Sequence, residues 1–260
     1  MTGLADTHCH LAHIERDTTQ VLAEASEAGV DLVIDIGMGL AESRASAERA
    51  SSTPGTTPGV RAAVGIHPND LAEFEADRAG TIAALRELAV RPGVVAVGET
   101  GLDHYRERSR HDLQEEAFRA HVALAKECDR TLVIHCRDAH DDVIRILDDE
   151  GSPSRVVMHC FSGDAGFART CAERSYFCSF AGNLTYKRND DLRDACVVVP
   201  QHLLLVETDA PYLAPVPFRG KPNAPALVVH TARMLASVRS MSVDDVLLVL
   251  HENTRRAFVI

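Results

Sequence analysis

The sequence predicts a (β/α)8 TIM barrel, a single domain over residues 1–260, and three observations predict it. Eight β-rich runs alternate with amphipathic segments from one end to the other. The runs are short and almost continuously apolar, as parallel strands covered by helices are. No glycine-rich phosphate loop follows the first run, which disfavours the competing doubly wound open sheet. A chain of 260 residues is long enough for one such barrel.

The strand runs are LADTHCH from Leu4, DLVIDIG from Asp31, VRAAVGIHP from Val60 and VVAVGETG from Val94. They continue with TLVIHC from Thr131, RVVMHC from Arg155, YFCSFAG from Tyr176 and LLLVETDAP from Leu203. Between them lie TTQVLAEASEAG, TIAALRELAV, LQEEAFRAHVALAKE, AHDDVIRILDDE and VVHTARMLASVR. Their apolar residues recur at three- and four-residue spacing, the mark of a helix with one buried face. The Pro- and Gly-containing stretch from Ser51 to Gly59 reads as a loop. Two short helices are expected from Ser242 to Ile260, closing the barrel base.

Composition narrows the class. Hydrophobic residues make up 45% and charged residues 25%, ordinary values for a soluble globular protein. No apolar run approaches the roughly 18 residues of a membrane span. The opening MTGLADTHCH carries no basic region followed by an apolar stretch, so no secretory signal is expected and the cytoplasm is the expected location. Seven cysteines without CxxC spacing fit a reducing compartment. The net charge of −11 weighs against a polyanionic substrate, although two divalent ions would return about +4. No membrane association and no obligate protein partner is expected.

The polar residues sort by position. His8 and His10 lie at the end of the first strand run, His67 follows the third, Glu99 ends the fourth, His135 the fifth, His159 the sixth and Asp209 the eighth. In a barrel these ends converge on the face where active sites are built. His8 and His10 are two apart, so a strand points both to one side and turns Cys9 to the other. The same alternation turns Cys136 away from His135 and Cys160 away from His159, so these thiols read as packing. A single histidine at a strand end is ordinarily structural. Four of them with a Glu and an Asp at matched ends point to metal. The donors suit zinc, manganese or iron, two ions with Glu99 bridging. Without that bridge the same residues serve one ion, with His135 and His159 supporting it or the substrate.

These motifs resemble the TatD family of metal-dependent deoxyribonucleases, within the amidohydrolase-like superfamily. The resemblance runs through DTHCHL at Asp6, GIHP at Gly65, GETGLD at Gly98, IHCRDA at Ile134, HCFSG at His159, ETDAPYLAP at Glu207, RGKPNAP at Arg219 and ENTRRAF at Glu252. It implies metal ligation by His8, His10, Glu99, His135, His159 and Asp209, with Glu99 bridging. It also implies 3′-to-5′ exonuclease or endonuclease activity on DNA, at single strands or 3′ ends, with two divalent ions per chain. Magnesium is the ion usually given, although four histidines match manganese or zinc better. Two motifs depart from the family pattern: His104 and Tyr105 replace an aromatic pair, and Pro222 replaces a basic residue.

The expected catalytic residues are Asp209, which orients the attacking water and accepts its proton, and Glu99. Basic residues gather in the same loops: Arg106, Arg108, Arg110, Arg137, Lys187, Arg188, Arg219 and Lys221. His67, Tyr105, Arg137 and Arg219 are the expected substrate contacts, with Arg137 on phosphate. Tyr105, His104, Phe161 and Tyr212 could stack bases or pack loops. An alternative reading keeps the site and changes the bond to an amide or ester, as in a D-aminoacyl-tRNA deacylase. A non-catalytic scaffold would have lost ligands, and all six are present.

Overall fold

The computed structural model of the chain describes residues 3–52, 55, 58–106 and 108–260. It opens with β1 (Leu4–Cys9), α1 (Thr18–Glu27), β2 (Val30–Ile36), α2 (Leu40–Ser52) and β3 (Gly59–Val64). There follow α3 (Ala72–Ala76), α4 (Arg78–Ala89), β4 (Val94–Asp103), α5 (His111–Glu127), β5 (Thr131–Arg137) and α6 (His140–Glu150). The remainder is β6 (Val156–Met158), α7 (Ala165–Glu173), β7 (Phe177–Phe180), α8 (Asp190–Val198), β8 (Leu204–Val206), α9 (Val228–Val238) and α10 (Val243–Phe258). The sheet runs in the order β1 to β8 with parallel pairing, the topology of a (β/α)8 barrel. Among the described residues no helix is long and apolar enough to cross a membrane.

Four of the helices begin where the sequence supplies a side-chain acceptor for their orphan N–H groups. Asp17, Asp77 and Asp164 each accept the N–H three residues on, at 2.9 Å, opening α1, α4 and α7. Ser242 does so for α10 at 3.1 Å, and its hydroxyl lies 2.6 Å from the Asp245 carboxylate.

The chain divides into two compact units. One is built from residues up to Asp35 and from Cys160 to Ile260, and holds β7, β8, β1 and most of β2. Past β8, Ala210 forms a parallel bridge to Cys9. Asp209 N–H donates to His8 O at 2.9 Å and His10 N–H to Ala210 O at 2.8 Å, so the first and last strands meet edge to edge. Phe161 is buried among Phe167 and Phe180, so of its two expected readings the packing one describes it.

The other unit runs from Ile36 to Ser52 and from Arg61 to His159, with β4 at its centre. Here β3, β4, β5 and β6 pair in order. Glycines let β4 pass close to its neighbours. Gly98 has φ +143°, and a Cβ there would lie 2.4 Å from Val133 O on β5. Gly101 has φ +137°, and its Cβ would lie 2.1 Å from His135 O. Between Val97 and Thr100 the β4–β5 register shifts, and pairing resumes from Thr100 opposite Ile134 through Asp103 opposite Arg137. Glu99 therefore sits within β4 and does not end it, because the glycines extend the strand.

The C-terminal expectation is also corrected. One helix, α10, replaces the two short ones. Its polar residue Asn253 is buried, donating to Gln201 O and Leu204 O at 2.8 Å each, so the helix continues through it. The expected loop from Ser51 to Gly59 lies partly outside the described residues; Ser51 and Ser52 end α2 and Gly59 opens β3.

Candidate metal centre

The first donor group is built from β1 and the segment after β8. His8 and His10 leave β1 on the same side, their Nε2 atoms 3.3 Å apart. Asp209 Oδ1 lies 3.4 Å from His10 Nε2 and 3.8 Å from His8 Nε2. All three ligand atoms fall within 4.8 Å of one another, a spacing a cation can fill. His8 and His10 are buried and Asp209 is 14% exposed, so the group is open on the aspartate side. Cys9 faces away, its thiol 3.7 Å from Ile34 O, as strand alternation requires. Asp209 reaches the histidines from a left-handed backbone, φ +56°, a conformation Asp tolerates better than most residues.

Buried Asp6 locks this group's scaffold. Its carboxylate accepts Thr208 N–H at 2.8 Å and the Thr208 hydroxyl at 2.6 Å, joining β1 to the residue before Asp209. Burial pushes the Asp6 carboxyl up to about 8.

The second donor group lies on β4, β5 and the segments after β3 and β6. Glu99 Oε1 meets His135 Nδ1 at 2.7 Å, His159 Nε2 at 2.9 Å and His67 Nε2 at 3.5 Å. His67, Glu99 and His135 also satisfy the 4.8 Å spacing. Burial opposes ionisation of Glu99, but His159, His67 and His135 outweigh it and hold its carboxyl well below the usual range. Burial likewise opposes the charged form of His135, and Asp103 and Glu99 raise its pKa despite it.

Imidazole and carboxylate donors fit a divalent ion in both groups. His67 differs from the others. Its Nδ1 accepts Asn69 N–H at 3.0 Å, so the neutral ring carries its hydrogen on Nε2 and offers a donor there.

The other expected substrate residues lie outside these groups. Tyr105 is 66% exposed, with the Arg137 guanidinium 5.0 Å from its ring centre. Arg137 is exposed, as the last residue of β5. Arg219 stacks on Tyr186 at 4.4 Å, a partner the sequence did not suggest. His104 stacks on His111 at 4.0 Å, and Tyr212 is 50% exposed with its hydroxyl 3.2 Å from His13 Nδ1.

Two buried polar residues of α5 were missed. Gln114 and His121 are seven apart on the apolar stripe of Leu113, Ala117, Phe118 and Val122. A polar residue recurring on a buried face was the signal available. Gln114 holds the backbone of Asp103, accepting its N–H at 2.8 Å and donating to its carbonyl at 3.2 Å. His121 holds the segment before His67: its Nε2 accepts Ile66 N–H at 3.1 Å while its Nδ1–H donates to Ala117 O at 2.7 Å.

Burial pushes the His121 imidazole down to about 4, against 6.5 for an exposed ring. The folded pKa is the lower one, so the contribution is complete above 6.5 and is lost as the pH falls from 6.5 to 4. It amounts to on the order of 3 kcal/mol. Urea unfolding at pH 7.5 and pH 5 should show the parent losing more stability than His121→Gln. Equal losses would remove His121 as the cause.

A family model for TatD related DNase matches residues 5–259. The chain belongs to this family. It is 36% identical to the uncharacterized metal-dependent hydrolase YabD of Bacillus subtilis, over 98% of each chain. It is 33% identical to the 3′-5′ ssDNA/RNA exonuclease TatD of Pantoea vagans, over 93% of each. The crystal structure of YJJV, a TatD homologue from Escherichia coli, superposes with a TM-score of 0.90 at 28% identity, covering 99% of this chain and 98% of that one. The chain is thus a metal-dependent hydrolase of the TatD family, with the barrel that its motifs predicted.

Proposed function

We propose that the chain hydrolyses phosphodiester bonds in DNA, at single strands or 3′ ends, as a 3′-to-5′ exonuclease with two divalent ions. The observation that carries this reading is the pair of donor groups, His8–His10–Asp209 and Glu99 with His135 and His159, each combining imidazole with carboxylate. Manganese and zinc suit four imidazoles better than magnesium does. Bound ions would lower the pKa of a water and neutralise charge on the phosphoryl oxygens. The Asp209 carboxylate orients that water and takes its proton. His67 offers its Nε2–H to a substrate oxygen. Arg137 and Arg219 supply charge for phosphates, and their tyrosine partners Tyr105 and Tyr186 supply flat faces for bases. The exonuclease name of the Pantoea vagans relative supports the substrate class. The match across residues 5–259 supports residues 1–260 acting as one hydrolase domain. Seven cysteines scattered without CxxC spacing support residence in the reducing cytoplasm.

The test uses chelator-stripped protein, end-labelled single-stranded DNA and, in parallel, D-aminoacyl-tRNA. Stepwise nucleotide release from the 3′ end is expected only after manganese, zinc or magnesium is restored. Deacylation of the tRNA without nucleotide release would replace the nuclease reading with the amide or ester one.

A further inference from the structure

Asp103, the last residue of β4, is fully buried, and both of its carboxylate oxygens are used. Oδ2 lies 3.2 Å from His135 Nε2 and accepts the Asn69 side-chain amide at 2.6 Å. Oδ1 accepts the backbone N–H groups of Tyr105 and Arg106 at 3.0 and 2.9 Å.

We propose that Asp103 is a positioning residue that fixes the His135 ring for metal binding and ties it to the substrate-side loop beginning at His104. An imidazole presents one nitrogen to a cation, and its other nitrogen needs an acceptor to fix the ring's rotation and tautomer. His135 Nδ1 faces Glu99 inside the donor group, and Nε2 faces Asp103. A carboxylate accepts and does not donate, so it requires the hydrogen on Nε2 and leaves the Nδ1 lone pair for the cation. The amide of Asn69 donates to the same oxygen, and Asn69 N–H holds His67 Nδ1, so one carboxylate aligns both rings that flank Glu99. A residue that only capped the following turn would use Oδ1 alone. The aim of Oδ2 at His135 and Asn69 is what a cap does not need.

The proposal rests on the metal dependence of the chain and not on its substrate, so it is tested without DNA. Asp103→Asn keeps an amide oxygen for Tyr105 and Arg106 but turns a donor towards two donors. Calorimetric titration of the stripped protein with Mn²⁺ should give an affinity roughly 10- to 100-fold weaker than the parent, with the metal-free protein still folded by circular dichroism and melting only somewhat lower because of the mismatched donors. Asp103→Ala should lose the same affinity and melt lower as well. Parental Mn²⁺ affinity in folded Asp103→Asn would overturn the proposal. A second measurement needs no variant. In Zn²⁺-loaded protein labelled with ¹⁵N-histidine, the NMR signature of His135 should be that of an Nδ1-ligated ring with hydrogen on Nε2. Ligation through Nε2 would overturn the proposal as surely.

Discussion

Replacing Asp209 with asparagine is expected to leave the chain folded and to lower turnover by about three orders of magnitude. Asn is among the few residues that tolerate the left-handed conformation held here, φ +56°. The backbone bond from residue 209 to His8 O needs no carboxylate. What disappears is the charge 3.4 Å from His10 Nε2 and the only atom of the residue that can take a proton from water. Loss of a positioned base alone is worth about 10²–10⁴-fold, and the variant also weakens a donor group. Single-turnover rates on labelled DNA, with circular dichroism as the folding control, measure this. Turnover within tenfold of the parent would remove Asp209 from the reaction.

A change beside Glu99 is expected to cost the fold itself. Gly98→Ala combines a positive φ of 143° with a Cβ 2.4 Å from Val133 O and 2.9 Å from Val133 Cβ. The obstacle is backbone of a paired strand, so relief requires breaking the β4–β5 ladder that positions Glu99 and His135. The expected loss is about 4 kcal/mol or more, enough to unfold many domains of this size. Gly29→Ala is the control. Its φ is +87° and nothing lies within 4 Å, so only the conformational cost of about 1–3 kcal/mol applies. Urea midpoints compare the two. Equal shifts would show that the close approach of β4 to β5 is not what Gly98 serves.

The same glycines mark where the sequence was legible and where it was not. Alternation along β1 placed His8 and His10 together and turned Cys9 away, because a strand has a period of two whatever surrounds it. All eight strands were readable, since buried parallel strands are short apolar runs between helices. The end of β4 was not, because the GETG segment reads as a stop when glycine is taken as a breaker. Here it continues the strand and delivers Asp103. Asp103, Gln114 and His121 were missed for one reason: each acts through a partner 11 to 55 residues away, and no local pattern announces such a contact. The two short helices expected from Ser242 to Ile260 are one, because the buried Asn253 amide is satisfied by the carbonyls of Gln201 and Leu204, 52 and 49 residues away in sequence. Phe161 was a core residue in a loop-like context.

The meeting of β1 with the segment after β8 sets a schedule for synthesis. Asp6 and Thr208 are 202 residues apart, whereas Glu99 and His135 are 36 apart. Closing the longer loop costs about 1.5 kcal/mol more chain entropy. On the ribosome the difference is one of time. At about 5–20 residues per second, Glu99, His135 and His159 are all made several seconds before Asp209 exists. Until then His8 and His10 lack their carboxylate partner. A nascent chain is therefore able to gather the donors around Glu99 early, while those around His8 wait for nearly the whole length to be translated.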